Sequence, residues 1–341
     1  MNKIRIRDIH RDKVTLGKYS LSGWVRTHRE SKNVSFIEIT DGTAVKGLQV
    51  VVQPELDSYA SSKAEITTGS AIKVEGELVK STGKGQSYDF NATSIEVLGD
   101  CSAEEYPLQK KGHSLEFLRS LLHLRPRSNT FGAVFRLRSI AAMAVHTFFQ
   151  ERGFYYLTSP IITTSDCEGA GQMFRVTTLD PACPPKTDKG KVNYEEDFFK
   201  QEASLTVSGQ LEGEMFATAL SCVYTFGPTF RAENSNTVRH LSEFWMIEPE
   251  MAFYDLNDNM QLAEDFVKFL ISYVLERCDE EMKFFDQWIE KDIIQAVQKV
   301  AESKFEHMTY TDAVKILEKS GKTFEYPVKW ESISNQSMKG S

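Results

Sequence analysis

The chain has 341 residues, of which 41% are hydrophobic and 26% charged, enough apolar material for the cores of two soluble domains. Its net charge of −8 argues against a general nucleic-acid binder, although net charge alone does not decide function. No stretch is long and apolar enough to span a bilayer, and the opening MNKIRIRDIHRDK has no signal-peptide core. We therefore expect a cytoplasmic protein that makes no contact with a membrane.

Basic residues concentrate at the start of the chain. The first 29 residues hold eight Lys and Arg against two Asp and Glu. Such a stripe either docks a polyanion locally or is a solvated surface, and the charges alone favour the solvated surface. The five cysteines have no CxxC spacing, and an odd number in a chain of this size is typical of reduced thiols in the cytosol.

Five short runs in the first hundred positions have the alternation and turn signals of strands. The runs are Tyr19–His28, Val34–Thr40, Gly47–Val52, Ala71–Val79 and Tyr88–Val97. Asp41 and Gly42 predict a turn between the second and third strands, and Glu55–Glu65 is compatible with a helix after the third. This order is typical of an all-β OB-fold barrel, whose strand face commonly binds nucleic acid. A small barrel without a ligand is the alternative.

A polar segment with proline and glycine, residues 104–114, predicts a linker between the barrel of residues 1–103 and a second domain of residues 115–341. Helical periodicity covers 136–152 and Gln261–Arg277, and strand patterns cover Phe154–Thr158, Met173–Thr177, Ala217–Phe226 and Phe244–Phe253. Helices mixed with antiparallel strands predict an α+β fold. Neither GxxxxGKS/T nor GxGxxG occurs, so a nucleotide would be bound by another kind of site.

The segment at 224–253, YTFGPTFRAENSNTVRHLSEFWMIEPEMAF, carries the residues with the clearest chemistry. If its two strand patterns form a hairpin, the groups beside the loop come together. These groups are Arg231, Glu233, Arg239, His240 and Phe244. An arginine fork suits an α-phosphate, a carboxylate can accept from an adenine amino group, and a phenylalanine can stack on the purine. A surface hairpin with incidental charges is an equally weighted alternative.

The string FRAE, followed by a loop and RHLSEF, resembles motif 2 of the class II aminoacyl-tRNA synthetases, and the longer string is similar to their asparaginyl branch. TSPIIT resembles the end of motif 1, in which Pro160 marks a dimer interface. GWVRTHRESKNVSFIEITDG resembles the anticodon-binding barrel of the aspartyl, asparaginyl and lysyl subgroup. The resemblance implies an OB-fold barrel followed by an α+β class II synthetase catalytic domain, built on an antiparallel sheet with helices.

The resemblance also implies roles around the nucleotide. Arg231 matches the arginine that binds the α-phosphate and the amino-acid carboxylate, which makes it the implied catalytic residue. Glu233 matches the residue near the adenine amino group, and Phe244 matches the ring that stacks on adenine. Arg239 and His240 match the end of the loop that meets the γ-phosphate.

Two further residues match positions around the amino acid, and a third is expected beside them. Glu168 matches a loop acid that closes over the α-ammonium group, and Gln210 matches a glutamine that orients the amino acid. Aspartyl relatives have a lysine three residues after that glutamine, whereas here Gly213 is followed by Glu214. Because an amide can donate its NH₂ to a carboxylate and an aspartate cannot, we expect Glu214 to help select asparagine. The alternative is that Glu214 does not touch the amino acid.

In the barrel, the resemblance points to the anticodon. Phe36 matches the aromatic residue that stacks on a base, and Gln49 matches a glutamine that reads a uridine. Arg29 matches a basic residue that contacts the same base. A lone phenylalanine in a barrel is more often a core residue, so these roles depend on the family match.

The implied reaction joins L-asparagine to tRNA(Asn), with ATP as substrate, Mg²⁺ as cofactor and a homodimer as the assembly. The GxGxxR-like motif 3 and the Mg²⁺-binding acid of the family are not found before the chain ends at YPVKWESISNQSMKGS. We therefore expect a catalytic domain that is incomplete at its C-terminus, with motifs 1 and 2 and inserted helices at 255–341. The alternatives are a non-catalytic RNA-binding fragment or paralogue, an aspartyl-type ligase, and a tRNA-independent asparagine synthetase, against which Phe36 and Gln49 argue.

Overall fold

A computed structural model of the chain describes residues 2–83, 85–109, 112–167, 173–233 and 240–322, and the single residues 324, 328 and 330. The N-terminal part consists of α1 (Ile6–His10), β1 (Gly17–Arg29), β2 (Ser35–Thr40), β3 (Leu48–Val52), α2 (Asp57–Ala60), β4 (Ala71–Lys80) and β5 (Tyr88–Gly99). The five strands close into a barrel with the order β1-β2-β3-β5-β4. This confirms the predicted barrel.

Strict alternation places one face of each short strand inside the barrel. In β2 and β3, every second residue is buried, from Ser35 through Ile37 and Ile39, and from Leu48 through Val50 and Val52. Two isoleucines of α1, Ile6 and Ile9, join the same core. Each large aliphatic side chain buried in this way contributes ~1.5–3 kcal/mol, so the barrel has its own source of stability.

The connection between β2 and β3 is longer than the tight turn expected at Asp41 and Gly42. It spans residues 41–47, with Gly42 at a φ of 78°. The Asp41 carboxylate accepts from the backbone N–H of Ile6, and the Thr43 hydroxyl accepts from that of Arg7. The expected helix after β3 is also shorter, and a 3-10 turn follows α2 at Lys63–Glu65. The longer connection is held by these side-chain hydrogen bonds, which local sequence patterns do not specify.

The second part mixes helices with two small sheets. Its elements are α3 (Leu115–Ser120), α4 (Asn129–Glu151), β6 (Tyr155–Leu157), β7 (Ile162–Thr163), β8 (Arg175–Val176), β9 (Ala203–Leu205), α5 (Gln210–Leu220), β10 (Cys222–Phe230), β11 (Glu243–Met251), α6 (Leu256–Arg277), α7 (Asp279–Trp288), α8 (Ile293–Glu302) and α9 (Tyr310–Lys319). The strand orders are β11-β10-β6 and β7-β9-β8. β10 and β11 pair antiparallel, whereas β6 joins β10 in parallel.

One strand prediction is wrong in its first half. The segment Ala217–Phe226 has a strand-like apolar pattern, but residues up to Leu220 belong to α5. Ser221 ends the helix with a φ of 67°, and β10 starts directly after it. A short apolar run fits a buried helix turn as well as a strand, so the pattern alone could not separate the two.

Aromatic side chains hold the second part together. Phe148 and Phe149 of α4 are fully buried. Phe149 stacks on Tyr224 of β10 with ring centroids 4.7 Å apart, and both phenylalanines contact Phe266 of α6. α4 begins at Asn129, earlier than its apolar periodicity indicates, because Ser128 caps it by accepting from the N–H of Phe131.

Two general features accompany this fold. Among the described helices, none is both long and apolar enough to cross a membrane. All five cysteines are free thiols.

Candidate functional site

The β10–β11 hairpin brings the first pair of candidate residues together. Phe230 pairs with Glu243 at the last register position, and the N–H of Arg231 donates to the carbonyl of Ser242 over 3.0 Å. The guanidinium carbon of Arg231 then lies 5.4 Å from the centroid of the Phe244 ring. A planar cation and an aromatic face therefore stand side by side where the hairpin meets its loop.

The other nucleotide candidates lie along that loop. Glu233 and His240 are exposed on either side of it. Arg239 falls in the segment 234–239, outside the described residues. The structure therefore places two of these three groups beside the Arg231–Phe244 pair in the chain, with their side chains accessible to a ligand.

Helix α5 carries the candidates for amino-acid binding. Gln210 is its first residue, and Gln210 Nε2 donates to Glu214 Oε1 over 2.9 Å. Both side chains are exposed. An amino acid bound here would compete with this hydrogen bond, because the bond occupies a donor of Gln210 and an acceptor of Glu214.

A buried network of hydrogen bonds fixes the start of α5 against β11. The carboxylate of Glu248 accepts from the hydroxyl of Ser208, from the N–H of Gly209 over 3.1 Å and from the hydroxyl of Thr225 over 2.7 Å. Carboxylates that accept backbone and hydroxyl donors form strong, charge-assisted bonds. Glu248 therefore sets the position of α5 and with it the position of Gln210.

Glu248 and Glu250 are site residues that sequence reasoning missed. They are two residues apart on β11 and therefore lie on the same face, which is the face turned towards α5. Burial raises the pKa of Glu250, and the neighbouring carboxylates of Glu214 and Glu248 raise it further. The i, i+2 spacing in the string EPE was a usable signal, but it needed the knowledge that α5 covers this face.

Gly213 makes room for Glu250. A Cβ atom at position 213 would lie 2.9 Å from the Cγ of Glu250. Only glycine therefore lets the Glu250 side chain approach α5 this closely without a shift. Position 213, where the resemblance implies a lysine in the aspartyl relatives, thus has no side chain here, and Glu250 lies against it.

The remaining candidate for the amino acid, Glu168, lies in the segment 168–172, outside the described residues. The residue before it is placed: the Cys167 thiol donates to the carbonyl of Ser208 over 3.7 Å. The chain therefore enters the 168–172 segment next to the start of α5.

The barrel presents the anticodon candidates on one outer patch. Arg29 pairs with Phe36 across β1 and β2, and its guanidinium carbon lies 5.0 Å from the Phe36 ring centroid. Gln49 lies opposite Glu38 on β3, diagonal to Phe36 and on the same face. Gln49 Nε2 donates to Asp89 Oδ1 over 3.2 Å. An aromatic face, a cation and an amide therefore meet outside the barrel core.

Two further expectations concern the dimer interface and the metal. Pro160 is exposed between β6 and β7, and Ile161 and Ile162 beside it are 43% and 41% exposed. In the part of the chain that the structure describes, no three His, Cys, Asp or Glu side chains are grouped to bind a metal ion.

Comparison with known families matches both parts of the chain. A family model described as tRNA synthetases class II (D, K and N) matches residues 114–338. A second model, described as an OB-fold nucleic acid binding domain, matches residues 19–98.

Individual relatives agree with these families. The asparagine–tRNA ligase of Clostridium tetani is 54% identical over 332 residues, which are 97% of this chain and 71% of the relative. The asparagine–tRNA ligase of Protochlamydia amoebophila is 55% identical and covers 91% of this chain and 67% of its own. The crystal structure of asparaginyl-tRNA synthetase from Pyrococcus horikoshii, complexed with asparaginyl-adenylate, superposes with a TM-score of 0.77 at 25% identity, covering 96% of this chain and 69% of that one.

Proposed function

Because the chain belongs to the class II tRNA synthetases of the D, K and N group, within its asparagine–tRNA ligases, we propose that it activates L-asparagine with ATP and attaches it to tRNA(Asn). The observation that carries this proposal is the placement of Arg231 beside Phe244, 5.4 Å apart at the loop end of the hairpin. One ring for a purine and one permanent cation for a phosphate form half of a nucleotide site.

The proposed reaction has two steps. A carboxylate oxygen of asparagine attacks the α-phosphorus of ATP, the bond to the outer phosphates breaks, and pyrophosphate leaves. A ribose hydroxyl at the 3′ end of the tRNA then attacks the carbonyl carbon of the adenylate, and AMP leaves. The protein supplies alignment and charge stabilisation, and it needs no covalent intermediate of its own.

Each candidate residue has a place in this scheme. Arg231 binds the α-phosphate and the amino-acid carboxylate, Phe244 stacks on adenine, and Glu233 accepts from the adenine amino group. His240 and Arg239 meet the γ-phosphate. These roles are supported by the position of the hairpin residues, since Arg231, Glu233, His240 and Phe244 all adjoin one loop.

The amino-acid site is proposed at the start of α5. Gln210 orients the amino acid, Glu168 closes over its ammonium group, and Glu214 accepts from its side-chain amide. The carboxylates of Glu214, Glu248 and Glu250 lie near one another at this end of α5: burial raises the pKa of Glu250, and the charges of Glu214 and Glu248 raise it further. A carboxylate side chain would add a fourth negative charge, whereas a neutral amide adds none, so asparagine is favoured over aspartate.

The barrel is proposed to read the anticodon. Stacking of a base on Phe36 is worth ~1–3 kcal/mol, Arg29 supplies the charge, and Gln49 hydrogen-bonds a uridine. Its position in the barrel supports this role, because Phe36 is only half-buried and faces outward.

Three further proposals concern the oligomeric state, the metal ion and the cellular location. A homodimer is proposed around Pro160, where exposed isoleucines adjoin it. Mg²⁺ is proposed to accompany ATP, but since the described residues do not group to bind it, no step of the reaction is assigned to it. A cytoplasmic location is supported by the five free thiols.

Asparagine-dependent exchange between pyrophosphate and ATP tests the function. Because the chain spans 71% of the Clostridium tetani relative, we would assay the chain as it is and the chain extended by the remaining residues of that relative. We expect exchange with asparagine well above exchange with aspartate, and a loss of at least about 100-fold in Arg231→Ala, since one positioned donor contributes that much to related charge stabilisation. Exchange that prefers aspartate, or that survives Arg231→Ala unchanged, would refute the proposal.

Gly213→Lys tests the amide selection, with Gly213→Met as the control of matched length. A lysine at position 213 would lie against Glu250 and offset part of the negative charge of the three carboxylates. We therefore expect weaker discrimination against aspartate in the Lys variant only. If both variants discriminate equally, the bulk of the side chain rather than its charge is responsible, and the electrostatic account is wrong.

A further inference from the structure

The loop between β2 and β3, residues 41–47, connects the barrel to the second part of the molecule. We call it the docking loop. It belongs to the same hairpin as the anticodon candidates Phe36 and Gln49: Gln49 is the second residue of β3, next to the loop, and Phe36 lies further along β2. Ala44 and Val45 of the loop are buried. The hairpin that presents the anticodon candidates is therefore held by the rest of the protein through its loop.

The first turn of α7 makes three successive contacts from the catalytic side. Asp279 forms an ion pair with Arg11 of the barrel segment, with 3.7 Å between the charged atoms. The carboxylate of Glu280 accepts from the N–H of Val45 over 3.4 Å. Glu281 forms an ion pair with Arg136 of α4 over 2.6 Å. Three consecutive acidic side chains thus point to three different partners, two of which are on the barrel side.

Arg136, which lies on α4, contacts both α7 and the docking loop. Its Nε donates to Glu281 and its Nη1 donates to the carbonyl of Gly42 over 3.1 Å. The Glu281 side chain is 8% exposed and that of Arg136 is 23% exposed. An ion pair with a buried carboxylate, made by an arginine that also donates to a backbone carbonyl, is directional and is screened less by salt than a fully exposed pair. Arg136 therefore fixes the docking loop against both α4 and α7.

Resting on the proposed function, we propose that Arg136 is a positioning residue for tRNA, which keeps the reading hairpin at a set position relative to the catalytic domain. A tRNA would bind the barrel with its anticodon and the site at the β10–β11 hairpin with its 3′ end. It gains affinity from binding both only if the two sites are aligned with each other, because binding at one site then holds the tRNA at a high effective concentration near the other. Removing the anchor leaves each site intact and lowers that effective concentration.

The test compares two RNAs by fluorescence titration of the whole chain: an isolated anticodon stem-loop of tRNA(Asn) and the complete tRNA(Asn). For Arg136→Ala we expect unchanged affinity for the stem-loop and at least about tenfold weaker affinity for the complete tRNA. Glu281→Gln should change the same ratio in the same direction by a smaller factor. Arg138→Ala, an exposed arginine two residues further along α4, serves as the matched control and should bind both RNAs like the unaltered chain.

The opposite results would contradict either the positioning role of Arg136 or the proposed reading by the barrel. Unchanged affinity of Arg136→Ala for the complete tRNA, or an equal loss for both RNAs, overturns the positioning role. If the unaltered chain binds the complete tRNA no better than the stem-loop, alignment contributes nothing and this proposal fails while anticodon reading stands. If it binds neither RNA, or if Phe36→Ala leaves stem-loop binding unchanged, the proposed reading by the barrel fails as well.

Discussion

Glu250 is a carboxylate whose surroundings oppose its charge. Burial and the nearby carboxylates of Glu214 and Glu248 all raise its pKa. The folded state therefore holds a proton on Glu250 more tightly than the unfolded state does. The stabilisation that this provides is present at acidic pH and is lost as the pH rises through the raised pKa. At pH values above the raised pKa, the ionised Glu250 destabilises the fold, which is tolerable at a site that is proposed to select a neutral amide.

Glu250→Gln should therefore raise the melting temperature near pH 7, because the amide keeps the shape of the side chain without its charge. The gain should shrink as the pH falls and Glu250 becomes protonated. Thermal unfolding followed by circular dichroism across this pH range measures the effect. Glu243→Gln, at an exposed position on the same strand, is the control. A gain that grows towards acidic pH would contradict the assigned cause.

The contacts of some residues could be predicted from the sequence, and those of others could not. The pairing of Arg231 with Phe244 could be anticipated, because two strand patterns around a polar loop predict a hairpin that brings them together. Glu248 could not, since its importance comes from the donors of Ser208, Gly209 and Thr225 on other elements. Arg136 was equally hidden, because its partners Gly42 and Glu281 lie 94 and 145 positions away.

At the scale of elements, the barrel strands were predictable and α5 was not. Alternation in β2 and β3 is a local signal that also decides which face is buried. α5 contains only 11 residues, and its last turn has the apolar run of a strand. The β4–β5 pairing shows another limit: its register shifts between Glu75 and Gly76, an irregularity set by the partner strand.

Gly76→Ala should destabilise the barrel, because an added Cβ would lie 2.1 Å from the carbonyl oxygen of Asn91. Backbone atoms of a paired strand cannot move away cheaply, so we expect a loss of ~1–3 kcal/mol in the free energy of unfolding. Urea denaturation measures the loss. Gly99→Ala is the matched control on β5, since its Cβ would lie 4.0 Å from the Cβ of Ala71, an ordinary van der Waals distance. Equal stability of the two variants would show that β4 and β5 adjust freely at the bulge.

For the whole molecule, the two parts are joined by polar contacts around α7 rather than by a shared apolar core. The barrel core and the aromatic core of α4, β10 and α6 are separate clusters. Burial also lowers the reactivity of the thiol at this contact, since it raises the pKa of Cys278, directly before α7, to about 11. Interfaces between domains of one chain are commonly polar in this way, and the domains are then free to move relative to each other unless specific contacts oppose the motion.

The exposed apolar surface beside Pro160 is the feature of the whole molecule that most requires a partner. Ile161 and Ile162 follow β6, on which Tyr155 is 58% exposed. Clustered apolar side chains on a soluble surface mark protein interfaces, and a two-fold dimer would bury the same patch from both copies. Ile161→Asp should therefore shift the chain from dimer to monomer in sedimentation velocity runs, because each interface would gain two unpaired charges. Leu122→Asp places the same charge at a 65% exposed site elsewhere and should leave the dimer unchanged. Dissociation by both variants alike, or by neither, would place the interface on another surface.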